Sequence, residues 1–261
     1  MANSKILSRF GFRLDHGCTH ISRTMMLEDL RTLLSCVSSH DAEKKDYLKA
    51  IVADNCLGKR SGRNRKLTAK HLVELYSLDP SVNIFRTLLY FWRRDAEGQP
   101  LLALLCAYAR DPILRKSAPL ILNLPEGAAT DRTEMEEHIK KRYPDRFSKV
   151  TVESTAQHLN STWTKSRHLE GKAIKRRKKA LPTAGAASFA IFLGYLTGIR
   201  GETLLTSEFV KLLDCPPDRT MELAEEASRR GWIVFKRIGK IIEAQFPNLL
   251  TRQEMEWLNE R

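Results

Sequence analysis

The chain has five cysteines but no Cys-x-x-Cys pair; they stand at positions 18, 36, 56, 106 and 215. That scatter argues against a thiolate zinc site and against a disulfide-rich secreted framework. Met1 to Arg13 holds no apolar block resembling a secretory leader. The longest apolar run, residues 184–197, is interrupted by Gly185, Ser188 and Gly194. It falls short of the roughly 20 residues a membrane span needs. No Gly-x-Gly-x-x-Gly fingerprint and no Gly-Lys-Ser/Thr phosphate loop occurs, which argues against nucleotide hydrolysis. Acids are in deficit, 31 Asp+Glu against 44 Lys+Arg, for a net charge of +13. Apolar residues, at 42%, suffice for a core. The expectation is a soluble, reduced, cytoplasmic basic protein, without a membrane partner and without a cofactor.

The excess charge is localised. Lys59–Lys66 holds five cations (Lys59, Arg60, Arg63, Arg65, Lys66) and no acid. Lys165–Lys179 holds eight (Lys165, Arg167, Lys172, Lys175, Arg176, Arg177, Lys178, Lys179) and one acid, Glu170. Together the two runs carry +12 of the +13. Two concentrated positive potentials suit a polyanion, where each neutralised phosphate releases counterions. Neither run adjoins an apolar anchor, which disfavours a membrane surface. Few aromatics stand among the cations, which disfavours stacking on single strands.

Most of the chain has helical spacing. Ser22 opens a helix to about Ser39, and Asp41 one that stops near Gly58. The Lys59–Lys66 stretch, with Gly62 and Asn64, reads as a loop, and Thr68 opens the next helix, which ends before Pro80. Helix, basic loop, helix resembles a helix-turn-helix with an over-long turn. Apolar helices follow from Ser81, from Leu101 and from Pro112, and they form the expected core. Pro125–Ala129 is a loop. Helices from Thr130 or Thr133, over 151–169 and over 184–197 come next. Near the end, Thr206 caps a helix to Leu213 and Cys215-Pro216-Pro217 turns. Asp218 caps a helix to Arg230, and Gly231 stops it. Residues 232–235 and 241–246 then read as two strands joined across Ile238-Gly239. That order is a winged helix-turn-helix, with Lys236, Arg237 and Lys240 at the hairpin tip. Glu222, Glu225 and Glu226 oppose a phosphate surface on its second helix, leaving Arg219, Thr220, Arg229 and Arg230 to reach DNA from the ends.

Catalytic and metal patterns are incomplete. Asp15, His16, Cys18 and His20 cluster, but their spacing is unspecific and no second ligand pair follows. His168-Leu-Glu170 matches half of a deaminase signature, without the Pro-Cys-x-x-Cys half. Pro144-Asp145 with Glu153 resembles a nuclease carboxylate pair, but Thr155 stands where that pattern wants a lysine.

Gly58-Lys-Arg-Ser61, the helix through Tyr76 to Asp79-Pro80, and Leu101-Leu-Ala-Leu-Leu-Cys-Ala-Tyr-Ala-Arg-Asp-Pro-Ile-Leu-Arg115 carry a family likeness. The pattern, over residues 20 to 200, resembles the BrxA family of BREX phage-defence systems. The resemblance implies an all-α protein with helix-turn-helix elements beside positive surfaces, binding double-stranded DNA together with other BREX-type defence proteins. By matching motif, Lys59, Arg60 and Ser61 belong to its first DNA-facing element.

The sequence therefore predicts a mainly α, multi-helix globular protein with a C-terminal winged-helix-like module and a small β-hairpin. Two domains are expected, 1–145 and 146–261, the module lying at about 202–248. The function expected is non-enzymatic double-stranded DNA binding, with no catalytic and no metal residues and with a monomer favoured. The expected contacts are Lys59, Arg60, Ser61, Arg63, Arg65, Lys66, Lys172, Lys175, Arg176, Arg177, Lys178, Lys179, Arg219, Lys236, Arg237 and Lys240. The alternatives are an RNA-binding helical protein, a protein-interaction adaptor and a metal-dependent nuclease.

Overall fold

A computed structural model describes residues 2–14, 19–239, 241–247 and 249–260. Helix α1 (Ala2–Phe10) comes first, and its Phe10 ring meets Trp257 edge-on at 5.6 Å, tying together the two ends of the described chain. A 3-10 turn at Thr19–Ile21 follows. Helix α2 (Leu27–Cys36) starts five residues later than Ser22 suggests. Tertiary bonds hold the backbone before it: Thr162 Oγ1 accepts the Met25 N–H at 2.9 Å, and the Tyr76 hydroxyl donates to the Met25 carbonyl. Met26 then takes a left-handed conformation, φ +50°.

Helix α3 (Lys44–Val52) begins after Glu43, whose N–H is accepted by Asp46 at 2.8 Å. Helix α4 (Gly62–Tyr76) starts six residues before Thr68 and takes in five of the eight residues read as a loop. The Ser61 hydroxyl caps it by accepting the Asn64 N–H at 3.2 Å, which outweighs Gly62 and Asn64 as breakers. Three apolar helices make the centre: α5 (Asn83–Trp92), α6 (Gln99–Arg110) and α7 (Pro112–Leu122). Asp111 separates the last two, its carboxylate capping α7 by accepting the Ile113 N–H at 2.9 Å.

Strand β1 (Ala129–Thr130) and helices α8 (Arg132–Arg142) and α9 (Lys149–Lys165) lead to strands β2 (Leu169–Glu170) and β3 (Lys175–Arg177). The three strands form an antiparallel sheet in the order β1-β3-β2, so the second basic run is folded as a hairpin. Gly171 makes its turn at φ +98°, where an added Cβ would sit 2.5 Å from the Ile174 carbonyl oxygen.

Helix α10 (Ala184–Leu196) is buried on almost every side. A 3-10 stretch (Gly201–Thr206), the short α11 (Glu208–Lys211) and α12 (Pro217–Arg229) follow, and α10 packs against all three. The expected hairpin is present as β4 (Val234–Ile238) and β5 (Ile241–Gln245), pairing Ile238 with Ile241. Helix α13 (Arg252–Asn259) docks beside α5: Glu254 accepts from Arg86 at 2.6 Å and from the Asn83 amide at 3.1 Å.

The fold is mainly helical with one small two-stranded sheet near the C-terminal end, as the sequence leads one to expect; the β1-β3-β2 sheet is an addition that no strand pattern in the sequence announces. One buried apolar cluster runs from Ile6 to Leu258, shared by the segments 1–145 and 146–261. No helix among the described residues is long and apolar enough to cross a membrane.

Candidate nucleic-acid interface

The first basic run divides by exposure. Arg60, Arg63 and Lys66 are exposed around the first turn of α4, and no carboxylate among the described residues lies within ion-pairing distance of them. The unpaired N–H groups at the start of α4 add positive potential at the same place. Lys59 and Arg65 are turned inward. Lys59 Nζ donates to Asp29 at 2.7 Å, and Arg65 donates to the Ala53 carbonyl at 3.4 Å. The Ser61 hydroxyl is committed to its cap.

Asp29 also joins this run to the second one. Lys165, at the end of α9, lines the same shallow cleft of about 310 Å³ as Lys59, together with Arg23 and His158. Burial lowers the Lys165 pKa, against the pull of Asp29 and Glu28.

Along the hairpin the cations alternate, as strand geometry requires. Arg176 is exposed and reaches the Gly127 carbonyl at 3.4 Å. Arg177 points the other way and is buried: its two terminal nitrogens each donate to Asp214 at 2.7 Å. Arg177 is therefore a structural residue, and the expectation that it meets DNA is corrected. Lys172 is exposed at the turn; Lys175 Nζ is held by the Gly171 carbonyl at 2.7 Å. Lys178 pairs with Glu170 at 2.9 Å, and Lys179 is exposed.

At the C-terminal hairpin Lys236 and Arg237 are exposed, Arg237 resting 3.2 Å from the Met221 sulfur of α12. Lys240 lies outside the described residues. The paired tip residues Ile238 and Ile241 are 80% and 74% exposed, apolar projections between the cations. On α12, Arg219 is paired with Glu222 at 2.7 Å and Arg230 with Glu226. Thr220 is buried and bonds the Cys215 thiol at 3.4 Å, so it cannot reach a ligand, another correction. The face of α12 is thus a mixture of ion pairs rather than a positive stripe.

A third group of cations escaped the sequence reading. Arg115 and Lys116 of α7, Arg142 at the end of α8 and Lys211 at the end of α11 join Lys179 around one cleft of about 710 Å³. They belong to three different helices and to the segment after β3, and no spacing in the sequence connects them.

No family model, no curated protein and no solved structure matches this chain.

The residues weighed for chemistry are occupied otherwise. His20 is buried, its Nδ1 2.9 Å from Asp111 and its Nε2 2.9 Å from the Thr162 hydroxyl. Burial opposes the Asp111 carboxylate, but the charge and hydrogen bonds of His20 outweigh it and hold Asp111 below its ordinary pKa. Asp15, His16 and Cys18 lie outside the described residues. His168 is buried between the Ser166 hydroxyl (2.9 Å) and the Leu212 carbonyl (3.0 Å). Burial and the nearby Arg177 push its pKa down to about 4, against the opposing pull of Asp214, so it is neutral near pH 7. Thr155 is buried on α9 and donates to the Thr151 carbonyl at 2.6 Å. Among the described residues no three His, Cys, Asp or Glu side chains are grouped to hold a metal ion.

Proposed function

We propose that this chain is a non-enzymatic double-stranded DNA-binding protein that docks on the phosphate backbone. One observation carries the reading. Arg60, Arg63, Lys66, Lys172, Arg176 and Lys236 are exposed on three segments and have no carboxylate partner among the described residues, whereas Arg219 and Arg230, at the two ends of α12, are paired with Glu222 and Glu226. Contacts of this kind fix position on a duplex and carry little sequence information. In this reading the Gly201–Lys211 segment and α12 form a winged-helix-like module, and the β4–β5 hairpin is its wing. Base readout through α12 is weak, because its acids are spread along the exposed face.

The biological context we propose is a BREX-type defence system, with its other proteins as partners. The support is the likeness at Gly58–Ser61 and Leu101–Arg115. Residues 101–110 of the longer motif are wholly buried in α6, so that part of the likeness bears on packing, and the surface argument rests on the cations.

A gel shift with a duplex tests the reading. With six to ten phosphates engaged, affinity falls about 10³–10⁵-fold between about 50 and 200 mM salt. A duplex that never associates, or one that binds without regard to salt, overturns it. Preference for structured RNA of equal charge points to the RNA-binding alternative, and cleavage of plasmid with Mg²⁺ or Mn²⁺ to a nuclease.

A further inference from the structure

The docking argument rests on Arg60, Arg63, Lys66, Lys172, Arg176 and Lys236, none of which lines the cleft around Lys179, and the composition of that cleft suits a different ligand. We propose that it binds a nucleoside triphosphate. The inference stands independently of the DNA reading.

Five cations line the cleft: Arg115, Lys116, Arg142, Lys179 and Lys211. All but Arg115 are exposed and lack a carboxylate within ion-pairing distance among the described residues. The two acids at the cleft are largely committed. Asp214 receives both terminal nitrogens of Arg177 at 2.7 Å and the Ala180 N–H at 3.1 Å. Glu208 accepts the Tyr108 hydroxyl at 3.1 Å and lies 4.0 Å from Arg115 Nε, offsetting that one cation. The surplus is therefore Lys116, Arg142, Lys179 and Lys211. Cations brought together from three helices and the segment after β3 repel one another, and the concave site concentrates their field. An anion relieves that repulsion.

Size and lining select the anion. A bare phosphate occupies a small part of about 710 Å³, a volume in the range of sites for small organic ligands. Much of the remaining wall is apolar, from Ala118, Pro119, Leu122 and Pro216, with Asn123 a polar group beside them. A nucleoside triphosphate brings both parts, about four negative charges near neutral pH for the lysines and arginine and a flat ring for the apolar wall. Binding, not hydrolysis, is proposed: the chain has no phosphate-binding Gly-Lys-Ser/Thr loop.

The test is calorimetric titration of the full chain with ATP, inorganic tripolyphosphate and adenosine, at moderate salt and without DNA. ATP is expected to bind with one-to-one stoichiometry, tripolyphosphate about tenfold or more weakly, and adenosine not at all. Lys116→Ala with Lys211→Ala should weaken ATP by about tenfold or more without lowering the melting temperature, because both side chains are exposed. Arg142→Ala alone gives a second reading if the double variant melts early. Arg60→Ala with Arg63→Ala should leave ATP binding intact while weakening DNA, so the two readings fail separately. Absence of ATP binding overturns the inference, as does equal ATP binding by the cleft variants. Tripolyphosphate binding as tightly as ATP overturns the nucleoside assignment.

Discussion

Arg177 and Asp214 form a buried bidentate ion pair, two N–H···O bonds of 2.7 Å, that clamps strand β3 to the turn before α12. A cation from the most basic stretch of the chain is thus spent on the interior. Arg177→Ala leaves Asp214 without its partner, and breaking such a pair costs about 3–5 kcal/mol. The expected outcome is a large fall in the denaturation midpoint. At temperatures where the variant stays folded, its DNA affinity should be nearly that of the parent. A variant of unchanged stability and lost DNA binding would show that Arg177 is a surface contact after all.

Arg60, Arg63 and Lys66 have nothing to lose internally. Replacing all three by alanine should leave the melting temperature unchanged and weaken every duplex sequence about equally. The slope of log affinity against log salt should become shallower by about 2.7, since each phosphate contact contributes about 0.9. Fluorescence anisotropy at four or five salt concentrations measures it. A loss confined to one sequence would mean base readout instead.

His168 makes stability depend on pH. Its pKa is held near 4 in the fold, against 6.5 when unhindered. As pH falls, the unfolded chain takes up this proton first, which favours unfolding. The stabilisation is complete above pH 6.5 and is lost between 6.5 and about 4. The loss amounts to about 3 kcal/mol. Urea denaturation at pH 7 and pH 4.5 should differ accordingly, and His168→Gln should flatten that part of the profile. An equally steep profile in the variant would assign the effect to other groups.

Gly171 is required by its conformation. Gly171→Ala places a Cβ against the Ile174 carbonyl oxygen at φ +98°. A cost of about 1–3 kcal/mol is expected, concentrated in the β2–β3 hairpin. Amide hydrogen exchange should show faster exchange over residues 169–177 and little change in α6 or α10.

Several elements are legible residue by residue. The run of small and apolar residues after Pro182, broken only by Gly185, Ser188 and Gly194, marks α10. The Cys215-Pro216-Pro217 turn and Gly231 bracket α12, and Ile238-Gly239 locates the turn of the last hairpin. These signals act locally, through caps, ring constraints and positive φ. The early start of α4 is local, set by the Ser61 cap, but the departures at α2 and at the first sheet have a tertiary cause. Helix α2 starts late because Tyr76 and Thr162, distant in the chain, bind the backbone of Met25. Strands β1, β2 and β3 have two or three residues each and no apolar alternation, so they exist only where the fold lays them side by side.

From sequence alone came the helical character, the terminal hairpin and the concentration of charge, because periodicity, turn chemistry and net charge are properties of neighbouring residues. Tertiary structure decided which cations remain available. It buried Arg177, tied Lys59 to Asp29, paired Arg219 with Glu222, and assembled Lys116, Arg142, Lys179 and Lys211 from separate elements. The pairing of a charge depends on which carboxylate the fold brings within a few ångströms, and no local pattern records that distance.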